Sequence, residues 1–233
     1  RLTANLPAPI TGQTGMDALT HAVEAFIGRS TTHHTREMAL DAVALIHDNL
    51  LKAYENGSNE QARRNMLAAS YEAGIAFTQS YVGYVHAIAH SLGGQYGTPH
   101  GLANAVILPH VLRAYGDAAA PKLATLARHA GIAGPQETDA AASASFIHWV
   151  DDMNARLGIP RHLGGILADD LETMAAHADA EANPLYPVPV LWGRTALEHM
   201  YRVVAGGRFA DEPAPENPHK DARELATPQG ATA

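Results

Sequence analysis

Between residues 38 and 54 the apolar positions Met38, Ala42, Leu45, Ile46, Leu50, Ala53 and Tyr54 recur at helical spacing, with polar residues between them. That pattern lays one apolar stripe along a 3.6-residue turn and predicts a helix over about 35–55. Gly57 interrupts the stripe. Ser58 followed by Gln61 has the form of a capping box, in which a hydroxyl and an amide satisfy backbone N–H groups left open at a helix start, so a second helix is expected from there to about Gln79. Asp169 and Glu172 repeat the device, and Gly131, Gly158 and Gly193 stand where helices should stop. Strand-type alternation is nearly absent and no internal repeat is visible. The expected fold class is all-α, a single helical domain over residues 1–205. From Gly206 to Ala233 the chain accumulates Pro, Glu, Asp, Ala and Gly without an apolar period. Such a segment buries too little to offset the entropy of ordering, and a disordered tail is expected over 206–233.

Charge narrows the function classes. The 233 residues carry 24 acidic against 16 basic side chains, a formal net charge of -8, and no stretch concentrates Lys or Arg. A surface built to hold nucleic acid or anionic lipid is thereby excluded. The longest apolar runs, such as 105–109, are far too short to span a bilayer, and no signal pattern opens the chain, so no membrane association and a cytoplasmic setting are expected. Without a single Cys there is no disulfide, thiolate metal site or cysteine nucleophile, and any metal must sit on His and carboxylates.

Two segments offer such ligands. In TGMDALTHAVEAF, Asp17 and His21 are four apart on a helix expected to start near Thr14 or Gly15, which places their side chains about 6 Å apart at Cβ on one face. In HAIAHSLGGQYGTPHG, His86 and His90 lie in a helical run, Val85 to Leu92, that Gly93 and Gly94 should end; Thr98 as N-cap and Pro99 as first residue then start another helix with His100 in its first turn. A carboxylate with imidazoles suits Zn²⁺ or Fe²⁺, and catalytic sites of this type keep one position open. Either pair alone is commonplace, since a core His bonded to a backbone carbonyl explains it; their joint occurrence carries the metal reading. Of the remaining histidines, His33 and His34 are expected in a solvated connection, and His110, which follows Pro109, is expected to take no part in the site, a structural polar role near it being the minority reading. His47, His129, His148, His177 and His199 lack a partnering acid at ligand spacing in a comparable context. The adjacent His47 and Asp48 raise a rival, an HD-type metal-dependent phosphohydrolase, although the pair lies off its helix's apolar stripe. A non-catalytic helical domain stabilised by a metal is the third reading.

TGMDALTHAVEA taken with GYVHAIAHSLGGQYGTPHGLANAVILPH resembles the helical, metal-binding half of the iron-containing alcohol dehydrogenases, and a weaker likeness continues to NPLYPVP, covering about residues 1–205. The resemblance implies the dehydroquinate synthase-like all-α C-terminal fold. It further implies a divalent metal, Fe²⁺ first and Zn²⁺ as the alternative, held by Asp17, His21, His86 and His100. His90 matches a histidine beside the substrate and the nicotinamide, which makes it the catalytic and cofactor-binding residue. The implied activity is NAD(P)-dependent interconversion of small alcohols with aldehydes or ketones, and a homodimer is left open. Asp17 favours this chemistry, because the branch that reduces maleylacetate replaces that aspartate. Full-length members carry an N-terminal α/β domain for NAD(P). This chain begins at Arg1 just before the metal-binding segment, and SLGGQYG follows a helix and lacks G-x-G-x-x-G spacing. The expectation is a piece of a longer enzyme, inactive by itself.

Overall fold

A computed structural model describes residues 3–211, and among them it contains helices and connections only. The helices are α1 (Ala8–Ile27), α2 (His33–Glu55), α3 (Glu60–Ser80), α4 (Tyr84–Tyr96), α5 (His100–Tyr115), α6 (Ala120–His129), α7 (Asp139–Arg156), α8 (Leu171–Ala182) and α9 (Arg194–Val204). α1, α2 and α3 pack on one another, α4 packs with α8 and α5, α8 with α9, and α6 with α7. α5 joins these groups by contacting α1, α4, α7 and α9. Their apolar stripes close into one core that includes Met16, Leu19, Ile46, Leu50, Ile88, Ile107 and Leu108. No helix among the described residues is long and apolar enough to cross a membrane.

The boundaries depart from the sequence signals for local reasons. α1 starts six residues before Thr14, at Ala8, with Pro9 in its first turn, while the Thr14 hydroxyl donates back to Ile10 O at 2.8 Å inside the helix. Ser58 bonds Asn56, and Asn59 caps α3 by accepting from Ala62 N at 3.0 Å. Thr32 and Thr35 form a capping box that draws His33 and His34 into the first turn of α2, where both are exposed. The Asp169–Glu172 box does not form: a short 3-10 turn precedes α8, and the Asp211 carboxylate accepts from Ala168 N and Asp169 N. Within the segment expected as a tail, Ala210 N also donates to Ile166 O at 2.9 Å, and residues 212–233 lie outside the described ones.

Three features position the site. Gly93 and Gly94 remain inside α4, because glycine only weakens a helix; the stop comes at Gly97, whose φ of 65° is the left-handed conformation glycine adopts without penalty. Pro99, not Thr98, is the N-cap of α5, so His100 is its first residue. At Gly101 a Cβ would stand 2.5 Å from the backbone oxygen of Gln13, so glycine is what lets the start of α5 lie against α1. α5 also contains Pro109, which has no N–H for the carbonyl of Ala105; the Asn154 side chain from α7 supplies that donor at 2.7 Å.

Candidate metal centre

The i,i+4 spacing on α1 places Asp17 and His21 on the face turned toward α4 and α5. His86 enters from α4 and His100 from the first turn of α5. Asp17 Oδ1 lies 3.2 Å from His100 Nε2 and 3.8 Å from His86 Nε2. The His21 ring stacks between Phe77 at 4.1 Å and His86 at 4.4 Å, measured between centroids. One ligand atom each of Asp17, His21 and His86 falls within 4.8 Å of the others, and the His86 and His100 rings are 5.4 Å apart. Three of the five residues singled out in the sequence, Asp17, His21 and His86, thus cluster from two helices, and His100 adjoins them from α5 through its contact with Asp17. His90 stands at the mouth: its ring is 5.8 Å from His86 and 5.1 Å from His100, and its Nδ1 is bonded to Glu181 Oε1 at 2.7 Å. His86 is 2% exposed, whereas His90 and His100 are 44% and 42% exposed, so access is from the side of the latter two.

Sequence reading missed four participants. Glu24, buried on α1, receives His86 Nδ1–H at 2.6 Å through one oxygen and Val85 N–H at 2.8 Å through the other. A carboxylate there fixes the ring tautomer and turns Nε2 toward the convergence point. Its place three residues after His21 and seven after Asp17, on the same helical face, was the available signal. Asn104, one turn after His100, donates through Nδ2 to Asp17 Oδ1 at 2.6 Å, with His100 Nε2 at 3.0 Å and His86 Nε2 at 3.2 Å. Glu181 and Tyr186, whose hydroxyl donates to Glu181 Oε1 at 2.8 Å, come from the far end of the chain and had no local signal.

The electrostatics favour positive charge. Burial alone would raise the Asp17 carboxyl, but hydrogen bonds with His100 and His86 reverse this and hold it far below the usual carboxylate range. Burial also disfavours a charged His86, yet its bonds with Asp17 and Glu24 outweigh that and push the ring up to about 9. Burial and the neighbouring His86 bring His21 down to about 4, which keeps a lone pair available. The donor set suits a divalent cation: one ligand atom each of Asp17, His21 and His86 lies within 4.8 Å of the others, His100 Nε2 stands 3.2 Å from Asp17 Oδ1, and the Asn104 amide oxygen is buried without a partner. A dinucleotide does not fit in the same way, because the described residues contain no strand-to-helix turn to cradle a pyrophosphate.

The rival clusters are weaker. His47 tilts against Trp149 and its Nδ1 is buried without a partner, while Asp48 is exposed, so the two do not build a metal set. His110 lies ten residues along α5 from His100, bonded to Arg161 O at 3.1 Å and stacked on His162; its role is structural but remote. His129 and His148 do have acid partners, Asp41 and Asp152, each at 3.4 Å on the surface, where such pairs contribute little.

Comparison with known proteins gives a consistent result. The model of the Fe-containing alcohol dehydrogenase family, C-terminal, matches residues 11–202. A 1,3-propanediol dehydrogenase of Citrobacter freundii is 47% identical over 181 residues, which is 76% of this chain and 46% of that protein. An NAD-dependent methanol dehydrogenase of Bacillus methanolicus is 37% identical over 174 residues, 74% of this chain and 46% of that protein. In three dimensions the chain is similar to a crystal structure of 1,3-propanediol oxidoreductase, with a TM-score of 0.82 and 39% identity over 86% of this chain and 53% of that one. The chain spans about half the length of the curated relatives it matches.

Proposed function

The chain belongs to the Fe-containing alcohol dehydrogenase family, as its C-terminal domain, and from that premise we propose that Asp17, His21, His86 and His100 hold a catalytic divalent metal. The ion is Fe²⁺, with Zn²⁺ as the competitor, since both accept this mixture of nitrogen and oxygen ligands. The whole protein then interconverts a small alcohol and its aldehyde or ketone with NAD(P) in the cytoplasm, the dinucleotide being held by residues other than those described. Relatives named for propanediol, methanol and long-chain alcohols support an alcohol substrate. The observation that carries this reading is the cluster of the Asp17 carboxylate with the His21 and His86 imidazoles, which half-exposed His100 adjoins at 3.2 Å from Asp17 Oδ1.

A bound divalent ion supplies Lewis acidity, which lowers the pKa of an oxygen donor. The protein's own residues prepare for it. Asp17 contributes one negative charge and leaves the set with a net charge near +1. Glu24 keeps the proton of His86 on Nδ1, so that Nε2 faces inward. Asn104 holds the Asp17 oxygen by a 2.6 Å bond. His90, half-exposed one helical turn from His86, borders the opening without belonging to the ligand set, and is placed to take and pass on the hydroxyl proton of the substrate.

Metal stoichiometry tests the assignment. The unaltered chain, His47→Ala and His90→Ala should each retain a single ion, whereas Asp17→Ala and His86→Ala should lose it on dialysis. Retention in His86→Ala, or equal loss in His90→Ala, would mean that the wrong four residues have been chosen. Alcohol-dependent NAD(P) reduction by the whole protein, abolished by His86→Ala, tests the activity.

A further inference from the structure

Two donors meet on one oxygen of Glu181. His90 Nδ1 approaches Oε1 at 2.7 Å and the Tyr186 hydroxyl approaches the same atom at 2.8 Å. Glu181 and its other partner, Tyr186, are both anchored independently of His90. Glu181 lies in the last turn of α8, which packs on α4, and Tyr186 is tied back by its backbone N–H to Ala182 O at 2.7 Å. The connection between them is fastened as well, since Asn183 accepts from the Tyr84 hydroxyl at 2.8 Å and donates to Trp192 O at 2.9 Å.

The chemistry of the pair decides which nitrogen of His90 carries hydrogen. An ionised carboxylate only accepts, so Nδ1 must be the donor, and in the neutral ring the lone pair then sits on Nε2. Nε2 has no hydrogen-bond partner among the described residues. A half-exposed pair of this kind contributes little stability, so its consequence is orientation, not fold strength. The carboxylate would be free to turn if His90 were its only contact; the Tyr186 hydroxyl removes that freedom.

We propose that Glu181, held by Tyr186, is a positioning residue that fixes His90 in the Nδ1–H tautomer and presents Nε2 as the acceptor at the mouth of the metal site. What Nε2 accepts from rests on the alcohol reading above; the tautomer does not. The unaltered side chains therefore hold the nitrogen that meets a substrate hydroxyl free of hydrogen before any substrate arrives.

The test is long-range ¹H–¹⁵N correlation of the imidazoles in the ¹⁵N-labelled 233-residue chain loaded with Zn²⁺ alone, recorded where the signals no longer move with pH. His90→Gln identifies the His90 resonances, and metal content is measured on every sample. His90 should show Nδ1 in the protonated range and Nε2 in the unprotonated range. Glu181→Gln should shift both nitrogens, because its amide can donate where the carboxylate could only accept. Tyr186→Phe should keep the Nδ1–H tautomer and broaden its signal, with Zn²⁺ content and melting temperature near those of the unaltered chain in both variants. Nε2–H as the main form in the unaltered chain, or identical His90 shifts in Glu181→Gln, would overturn the proposal. Failure of the unaltered chain to hold Zn²⁺ would sink the metal reading, and the tautomer result would still decide the role of Glu181.

Discussion

Glu24 and His86 show how much of the site depends on a residue that touches no reacting atom. With Glu24→Ala the His86 Nδ1–H would be left buried and unbonded, which costs about 1–3 kcal/mol. The ring would also be free to turn, and loss of a supporting carboxylate of this kind typically weakens metal binding about 10–100-fold. Urea denaturation and a Zn²⁺ titration of the same variant check both effects. The pH dependence follows from the raised His86. In the metal-free site its ring titrates near 9, so at neutral pH a proton occupies the position that the metal must take. Zn²⁺ affinity should accordingly rise as pH is raised from 6 to 8 by roughly the factor expected for release of one proton, in keeping with the deprotonated ligands that metals need. A flat profile would contradict the proton competition.

At the scale of elements, α5 decides where His100 stands, and two contacts hold α5. Gly101→Ala would drive a methyl against Gln13 O, a backbone atom that cannot swing away. The start of α5 should move off α1, with a stability loss of about 1–3 kcal/mol and a larger fall in Zn²⁺ affinity than a surface control such as Gly94→Ala, where a Cβ meets nothing. The second contact lies behind the helix. Asn154→Ala should cost about 1–3 kcal/mol by leaving the Ala105 carbonyl unpaired. In Pro109→Ala the restored N–H can fill that carbonyl, so the cost of Asn154→Ala should shrink in the double variant, and a double-mutant cycle by urea denaturation reads the difference. Three of the expected helix starts were displaced by one to six residues, and the Asp169–Glu172 box did not form. At α3 the Asn59 side chain takes the cap in place of Ser58, whereas α1 and α5 start after Pro7 and Pro99 with no side-chain cap.

For the molecule as a whole, one ion would tie three helices together. Zn²⁺ present at about 100 times its dissociation constant should stabilise the chain by about 2.7 kcal/mol. That gain should vanish with a chelator and be absent in His86→Ala; differential scanning calorimetry at fixed protein concentration measures it. The isolated chain should show no saturable NAD(P) binding by isothermal titration calorimetry, because its described residues offer no pyrophosphate turn.

Periodicity in the sequence determined the helical class, since an apolar stripe at 3.6-residue spacing can be buried in only one way. Ligand spacing determined the pairing of Asp17 with His21, because four residues on one helix are neighbours whatever surrounds them. The tertiary structure decided the rest. Only the packing of α1, α4 and α5 brings Asp17 within 3.2 Å of His100, across more than eighty residues of chain. It also gives His90 a partner its sequence neighbours do not share: α8 delivers Glu181 to its Nδ1, and the following loop delivers Tyr186 to Glu181. Spacing along a chain constrains neighbours on one helix, whereas the partner that fixes a side chain's direction comes from whichever element the core places opposite it.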